Sequence, residues 1–209
     1  MPNHPPQDLI VATTGASGCL FLKHFLLAVE RDQRVQIVNF IASDSALRVM
    51  AEELNLRGRS NLVGQILGKS SRKIHHQANA DIGANIASGS YPADAMVVIP
   101  CSVGTLARIA NGIAAHLIER AADVCLKEKR PLVLCVRETP LNRIHLENML
   151  RAQQAGAVIM PVVPAFYFKP KSIDEIVTQY VCRVLAQAGL SQDKMYRWTG
   201  SAAGRKAEA

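Results

Sequence analysis

Aromatic residues are scarce in this chain, 5% of the total with a single tryptophan, and that scarcity bears on how its charge is read. A net charge of +7 raises the question of nucleic acid. The cations are scattered, however, and too few aromatics stand among them for a surface that stacks bases while it tracks phosphates. A small anionic ligand met by arginines from separate loops accounts for the excess equally well. No stretch approaches the roughly 20 apolar residues of a membrane span, and residues 1–7, with three prolines, lack the apolar centre of a signal peptide. A soluble cytoplasmic protein is therefore expected. Cys19, Cys101, Cys125, Cys135 and Cys182 make an odd count with no CxxC pair, and most lie in apolar segments. They read as reduced, buried thiols rather than a disulfide framework or a zinc site, so no metal is expected.

What is present is a core. With 209 residues and 49% hydrophobic content, the chain reads as one globular domain over 1–209, with flexible ends at 1–7 and 200–209. Apolar runs of strand length at 9–13, 35–42, 95–100, 132–136 and 158–163 alternate with helix-length amphipathic stretches at 19–30, 45–54, 106–127, 143–154 and 173–188. The third of these helices should break near Asn111-Gly112. That alternation predicts an α/β fold with a parallel sheet covered by helices on both faces. Ser43-Asp44-Ser45 offers a helix N-cap. Residues 55–90, rich in Gly, Ser and Asn, read as a surface excursion with room for a short extra strand around Ile74.

Ligands of such sheets bind beyond the carboxyl ends of the strands, so the loops there carry the functional information. The first strand ends in Thr13-Thr14-Gly15-Ala16-Ser17-Gly18, where small residues let backbone N–H groups approach a phosphate at a helix N-terminus. Only Gly15 and Gly18 are present, so the dinucleotide fingerprint G-x-G-x-x-G is not met, and no acidic residue closes the second strand to hold a ribose. A mononucleotide fits better than NAD. The third strand is followed by Pro100-Cys101-Ser102-Val103-Gly104-Thr105. Two such loops at adjacent strand ends suggest a shared ligand, with contacts from Ser102, Gly104 and Thr105. The fourth strand ends in Arg137-Glu138, where the arginine can face an anion and the carboxylate a reacting proton. Arg120 and Lys127 lie seven apart, along one helix face. An aromatic loop, residues 164–168, follows the fifth strand, with Arg183 on the next helix. Taken singly, these features also admit plain readings as a tight turn, helix caps, a surface ion pair, solvated helix charges and core aromatics.

Together the segments PCSVGTLARIANG, LIERAADVCLKEKRPLVLCVRETPL, IHLENMLRAQQAGAVIMP and PAFYFKPKSIDEIV resemble the UbiX family of flavin prenyltransferases, over about Leu9 to Trp198. The resemblance implies a flavodoxin-like (Rossmann-like) three-layer sandwich and a homododecamer with sites between subunits. It also implies transfer of a dimethylallyl group from dimethylallyl monophosphate to N5 and C6 of reduced FMN, without a metal. The product would be prenyl-FMN, passed to a UbiD-type decarboxylase. By the same resemblance Gly15, Ala16 and Ser17 form the first FMN loop, Ser43 adds a contact, and Ser102, Val103, Gly104 and Thr105 form the second loop. Arg137 binds the flavin. Arg120, Lys127, Tyr167 and Arg183 hold the prenyl phosphate, and Trp198 approaches the prenyl pocket. Ser17, Glu53 and Glu138 are the catalytic set, Glu52 being the neighbour that a one-residue shift would exchange with Glu53. Residues 55–90 follow the family pattern loosely. The competing readings are an FMN-dependent cysteine decarboxylase of the phosphopantothenoylcysteine type, whose Asn-bearing loop is replaced here by PCSVGT, and a non-enzymatic FMN-binding protein. A short-chain dehydrogenase is disfavoured because no suitably placed Tyr-x-x-x-Lys pair exists.

Overall fold

The apolar runs become strands buried along nearly their whole length. In the computed structural model, which describes residues 5–58 and 60–198, β1 (Asp8–Thr13) and β2 (Ile37–Ala42) are buried after their first residue. Every residue of β4 (Ala95–Cys101) and β5 (Leu132–Val136) is buried. Continuous rather than alternating burial is what a parallel sheet covered on both faces requires. The edges are weaker. β3 (Ile74–Ala78) buries Ile74 but exposes His75 and His76, and β6 is only Val158–Ile159. The rest of the expected run at 158–163 still follows β5, with Met160 N–H donating to Leu134 C=O at 2.9 Å and Val162 N–H to Val136 C=O at 2.8 Å. Pro161 between them has no N–H to give.

All pairings are parallel, in the order β3-β2-β1-β4-β5-β6. Without the edge strand β3 this is the flavodoxin-like order, and the direction of winding reverses between β1 and β4. Alternate residues of each strand serve opposite faces. Leu9 and Val11 pack with α1 (Cys19–Arg31), α2 (Asp44–Leu54), α3 (Leu62–Leu67) and α7 (Ile173–Gln187). Ile10 and Ala12 pack on the other side with α4 (Val103–Ala110), α5 (Leu117–Lys127), α6 (Arg143–Gln154) and the short 3-10 turn Asn85–Ala87. Fully buried side chains such as Leu22, Phe25, Leu26 and Phe40 each contribute about 1.5–3 kcal/mol.

The expected break in 106–127 separates α4 from α5, with Gly112 at φ 68°. The excursion does hold the extra strand at Ile74, and it also holds α3, which the sequence reading did not anticipate. That helix docks Leu62, Val63, Ile66 and Leu67 on the α1 side of the core. The proposed flexible ends fall largely outside the described residues. No helix among the described residues is long and apolar enough to cross a membrane.

Candidate active site

The two glycine- and hydroxyl-rich loops leave β1 and β4, the adjacent strands where the winding reverses, and one side chain ties them together. Thr14, buried, donates its hydroxyl to Pro100 C=O at 3.1 Å and accepts the Ser102 N–H at 2.7 Å. Its backbone N–H also reaches Pro100 C=O, at 3.2 Å. The first loop lies close against the start of α2, since a Cβ built on Gly15 would stand 2.4 Å from Ser45 Oγ and 2.5 Å from Ser45 Cβ. Only glycine permits that approach.

Beside these loops a second knot brings Ser17, Glu53 and Arg137 together. Gly18, at φ 117°, starts α1 without a side-chain cap of its own. Glu53 supplies one from the last turn of α2, its carboxylate accepting Gly18 N–H at 3.0 Å and Cys19 N–H at 2.7 Å. Partial burial works against the Glu53 charge, but a hydrogen bond from Ser17 and those two amides outweigh it and hold the carboxyl below the usual range. Glu52 is exposed and lies 3.7 Å from Arg48. Geometry thus chooses Glu53 as the carboxylate that faces the first loop. Arg137 donates Nε–H to Ser17 C=O at 3.2 Å, while the Glu138 carboxylate accepts the N–H of Thr139 at 3.0 Å.

Behind the loops lies a cleft of about 190 Å³ lined by the hydroxyls of Ser43, Ser45, Ser102 and Thr105 and by Arg108 and Glu119. Ser43 caps α2 through Ala46 N–H at 3.1 Å, and Ser102 caps α4 through Thr105 N–H at 3.4 Å. Capping and ligand contact are compatible: Ser102 donates its hydroxyl to Thr105 Oγ1 at 3.2 Å, which leaves the Thr105 proton to give. Ser43 and Ser45 share one hydrogen bond at 3.0 Å, which leaves that pair one proton to give. Thr13, the last residue of β1, has a buried hydroxyl oxygen with no hydrogen-bond partner among the described residues. Gly104, at the opening of α4, would meet nothing within 4 Å if it carried a Cβ. A small polar cleft at a helix N-terminus, floored by hydroxyls, fits a phosphate rather than an aromatic ring. Thr14, Arg108 and Glu119 were not singled out in the sequence.

A separate cluster gathers Tyr167, Arg183 and Trp198. Arg183 Nη1 is 3.5 Å from the Tyr167 hydroxyl, and the Tyr167 and Trp198 rings meet edge to face at 6.0 Å. Tyr167 and Arg183 border a cavity of about 370 Å³ with Val163, Phe168 and Tyr196. Phe166, Tyr167 and Trp198 are 61%, 52% and 65% exposed, so the cluster is an aromatic surface and not core. A slightly larger groove of about 390 Å³ between α1 and α7, around His24 and Cys182, contains no residue of either cluster.

Arg120 and Lys127 belong to neither group. They lie on α5, across the sheet from the α7 that carries Arg183. Arg120 donates to Ala87 C=O at 3.0 Å and to Asp123 at 2.8 Å, and Lys127 pairs with Glu128. The four residues expected around one prenyl phosphate are therefore divided between two faces of the chain.

The cysteines are chemically quiet. Burial and the neighbouring Glu53 push the Cys19 thiol up to about 12, and burial pushes Cys125 and Cys135 to about 12 as well. All five are free and buried. Among the described residues no group of three or more His, Cys, Asp or Glu is placed to hold a metal ion.

Residues 2–185 match the family model described as Flavoprotein. The chain is 43% identical over 194 residues to the flavin prenyltransferase UbiX of Methanocaldococcus jannaschii, covering 92% of this chain and 98% of that protein. It superposes with a TM-score of 0.83 on a UbiX protein crystallised with FMN and dimethylallyl pyrophosphate, 40% identical, over 94% of this chain and 99% of the other. A dodecameric FMN-dependent UbiX-like decarboxylase from Escherichia coli O157:H7 gives a TM-score of 0.82 at 41% identity, over 93% of this chain and all of the other. A peptidyl-cysteine decarboxylase, 17% identical with a TM-score of 0.55, shares the fold alone.

Proposed function

We propose, for a chain that belongs to the Flavoprotein family and within it to the UbiX flavin prenyltransferases, that the switch-point loops bind FMN and that two subunits complete the site for the prenyl donor. The activity is transfer of a dimethylallyl group to reduced FMN. The observation that carries the assignment of residues is the convergence of Ser17, Glu53 and Arg137 beside two loops joined by Thr14.

Bound FMN supplies the nucleophilic N5 and C6 positions. In our reading Ser43, Ser102, Thr105 and the N–H groups opening α4 hold its phosphate, and Gly15, Ala16, Val103 and Gly104 let the flavin lie close to the backbone. Arg137, from the end of β5, orients the flavin. Arg183 and Tyr167 of one subunit, with Arg120 and Lys127 of another, surround the phosphate of the donor. Cationic and phenolic donors stabilise the negative charge that grows on that phosphate as the allylic C–O bond breaks. Trp198 and the aromatic loop exclude water from the allyl group, and a tryptophan face adds about 0.5–2 kcal/mol of attraction for the positive charge on it. Ser17, Glu53 and Glu138 form the proton relay to the alkene and from the flavin ring.

The dodecameric relative and the division of the phosphate-binding residues over two faces support a homododecamer with sites between subunits. We place the protein in the cytoplasm, where its five free, buried thiols are at home, and its product with a UbiD-type decarboxylase. The test is anaerobic incubation of the purified protein with reduced FMN and dimethylallyl monophosphate or, in parallel, the pyrophosphate, followed by mass spectrometry of the released flavin. A flavin heavier by one five-carbon unit is expected. Tightly bound but unchanged FMN with both donors would turn the reading toward a flavin-binding protein or a decarboxylase.

A further inference from the structure

The polar cleft behind the loops contains a charge pair that the reaction described above does not use. Glu119, in the first turn of α5, is 5% exposed, and its Oε2 is buried with no hydrogen-bond partner among the described residues. Its Oε1 is 3.6 Å from Arg108, whose side chain is half exposed and lines the same cleft. A buried carboxylate needs a close, hydrogen-bonded partner, and a single contact at 3.6 Å falls short of that. Glu119 thus has spare capacity for a guanidinium fork that Arg108 does not yet fill.

The position of Arg108 gives that looseness a purpose. It lies three residues after Thr105 on α4, so the two share one helix face, and a helical side chain leans toward the N-terminus, here toward Ser102 and Thr105. We infer that Arg108 is a further phosphate-binding residue for FMN, with Glu119 as the residue that positions it. This rests on the reading of the cleft as the phosphate end of the flavin site. A dianionic phosphate among the four hydroxyls draws the guanidinium inward, and the movement brings it into bidentate register with Glu119. The arginine then bridges the two anions and offsets their repulsion. Neutralising Glu119 alone is the purely structural role for Arg108, and it makes no distinction between flavins.

Titration of the full-length protein with oxidised FMN and with riboflavin, which lacks the phosphate, separates the two roles. The unaltered protein should prefer FMN. Arg108→Met, which keeps the aliphatic stem, should weaken FMN about tenfold or more while leaving riboflavin unchanged, as loss of a charge-assisted contact dictates, and Arg108→Lys should recover part of the loss. Glu119→Gln should weaken FMN in the Arg108 protein and have no further effect in the Arg108→Met protein. Unchanged FMN affinity in Arg108→Met, or equal loss of both flavins, would overturn the inference. Failure of the unaltered protein to prefer FMN over riboflavin would instead remove the phosphate reading of the cleft, and the inference with it.

Discussion

The carboxylate of Glu53 accepts the backbone N–H of Cys19 at 2.7 Å, so a side chain from the end of α2 closes the amide end of α1. The same residue therefore holds the shape of the first loop and, in the proposed reaction, serves as an acid or base beside Ser17.

Glu53→Gln and Glu52→Gln should part company. The first keeps the shape but loses the charge, and product formation should fall by about 100-fold or more, with a loss of about 1 kcal/mol in stability from the weakened cap. The second, whose partner is the exposed Arg48, should leave both unchanged. Flavin mass spectrometry and thermal unfolding of the two variants measure this.

Because Arg120 and Arg183 lie on opposite faces of the sheet, Arg120→Met and Arg183→Met should each abolish turnover when alone in an assembly. Co-expressed and co-assembled, the two inactive variants should regain part of the activity, since some sites then take an intact arginine from each contributor. Absence of recovery in verified mixed assemblies would mean that each chain serves its own phosphate.

Gly15→Ala places a methyl group 2.4 Å from Ser45 Oγ. A clash of this kind costs about 1–3 kcal/mol, and FMN affinity should fall with it. Adding Ser45→Gly should restore much of the stability, as read by unfolding, with a smaller recovery in flavin titration because one hydroxyl of the cleft is then missing.

Asp32 bears on pH. The hydrogen bond from the Arg34 side chain, joined by Gln192 and the Arg34 backbone, outweighs burial and holds its carboxyl down at about 2. The folded value lies below the unfolded one, near 3.9. Its contribution to stability is thus fully present above the unfolded value and is lost as pH falls toward about 2. Asp32→Asn should be less stable at neutral pH and lose less on acidification between about pH 5 and 2; unfolding temperatures across that range test it.

The strands were legible in the sequence because a parallel sheet demands unbroken apolar runs, and both candidate loops follow from where those runs stop. Glu53 was within reach too. Ala46 and Met50 are the buried residues of α2, and 46, 50 and 53 fall on one stripe at helical spacing, whereas 52 does not. The helix at Leu62–Leu67 escaped notice because it is only 6 residues long, contains Gly64 and has polar, glycine-bearing flanks. Arg108 escaped because a lone arginine on a short helix looks the same whether it faces water or a buried carboxylate on a neighbouring helix. Arg120 and Lys127 do share a helix face, but their separation from Tyr167 and Arg183 depends on which side of the sheet each helix crosses.

Thr14 gives the two switch-point loops a common fastening. With its hydroxyl engaged by a carbonyl and an amide of the second loop, neither loop can open without breaking bonds to the other. The pocket therefore comes and goes as one unit, and a ligand that grips either side steadies both. In hydrogen exchange the amides of Ala16 and Ser102 should slow together when FMN arrives, as a single cooperative patch and not as two neighbouring ones.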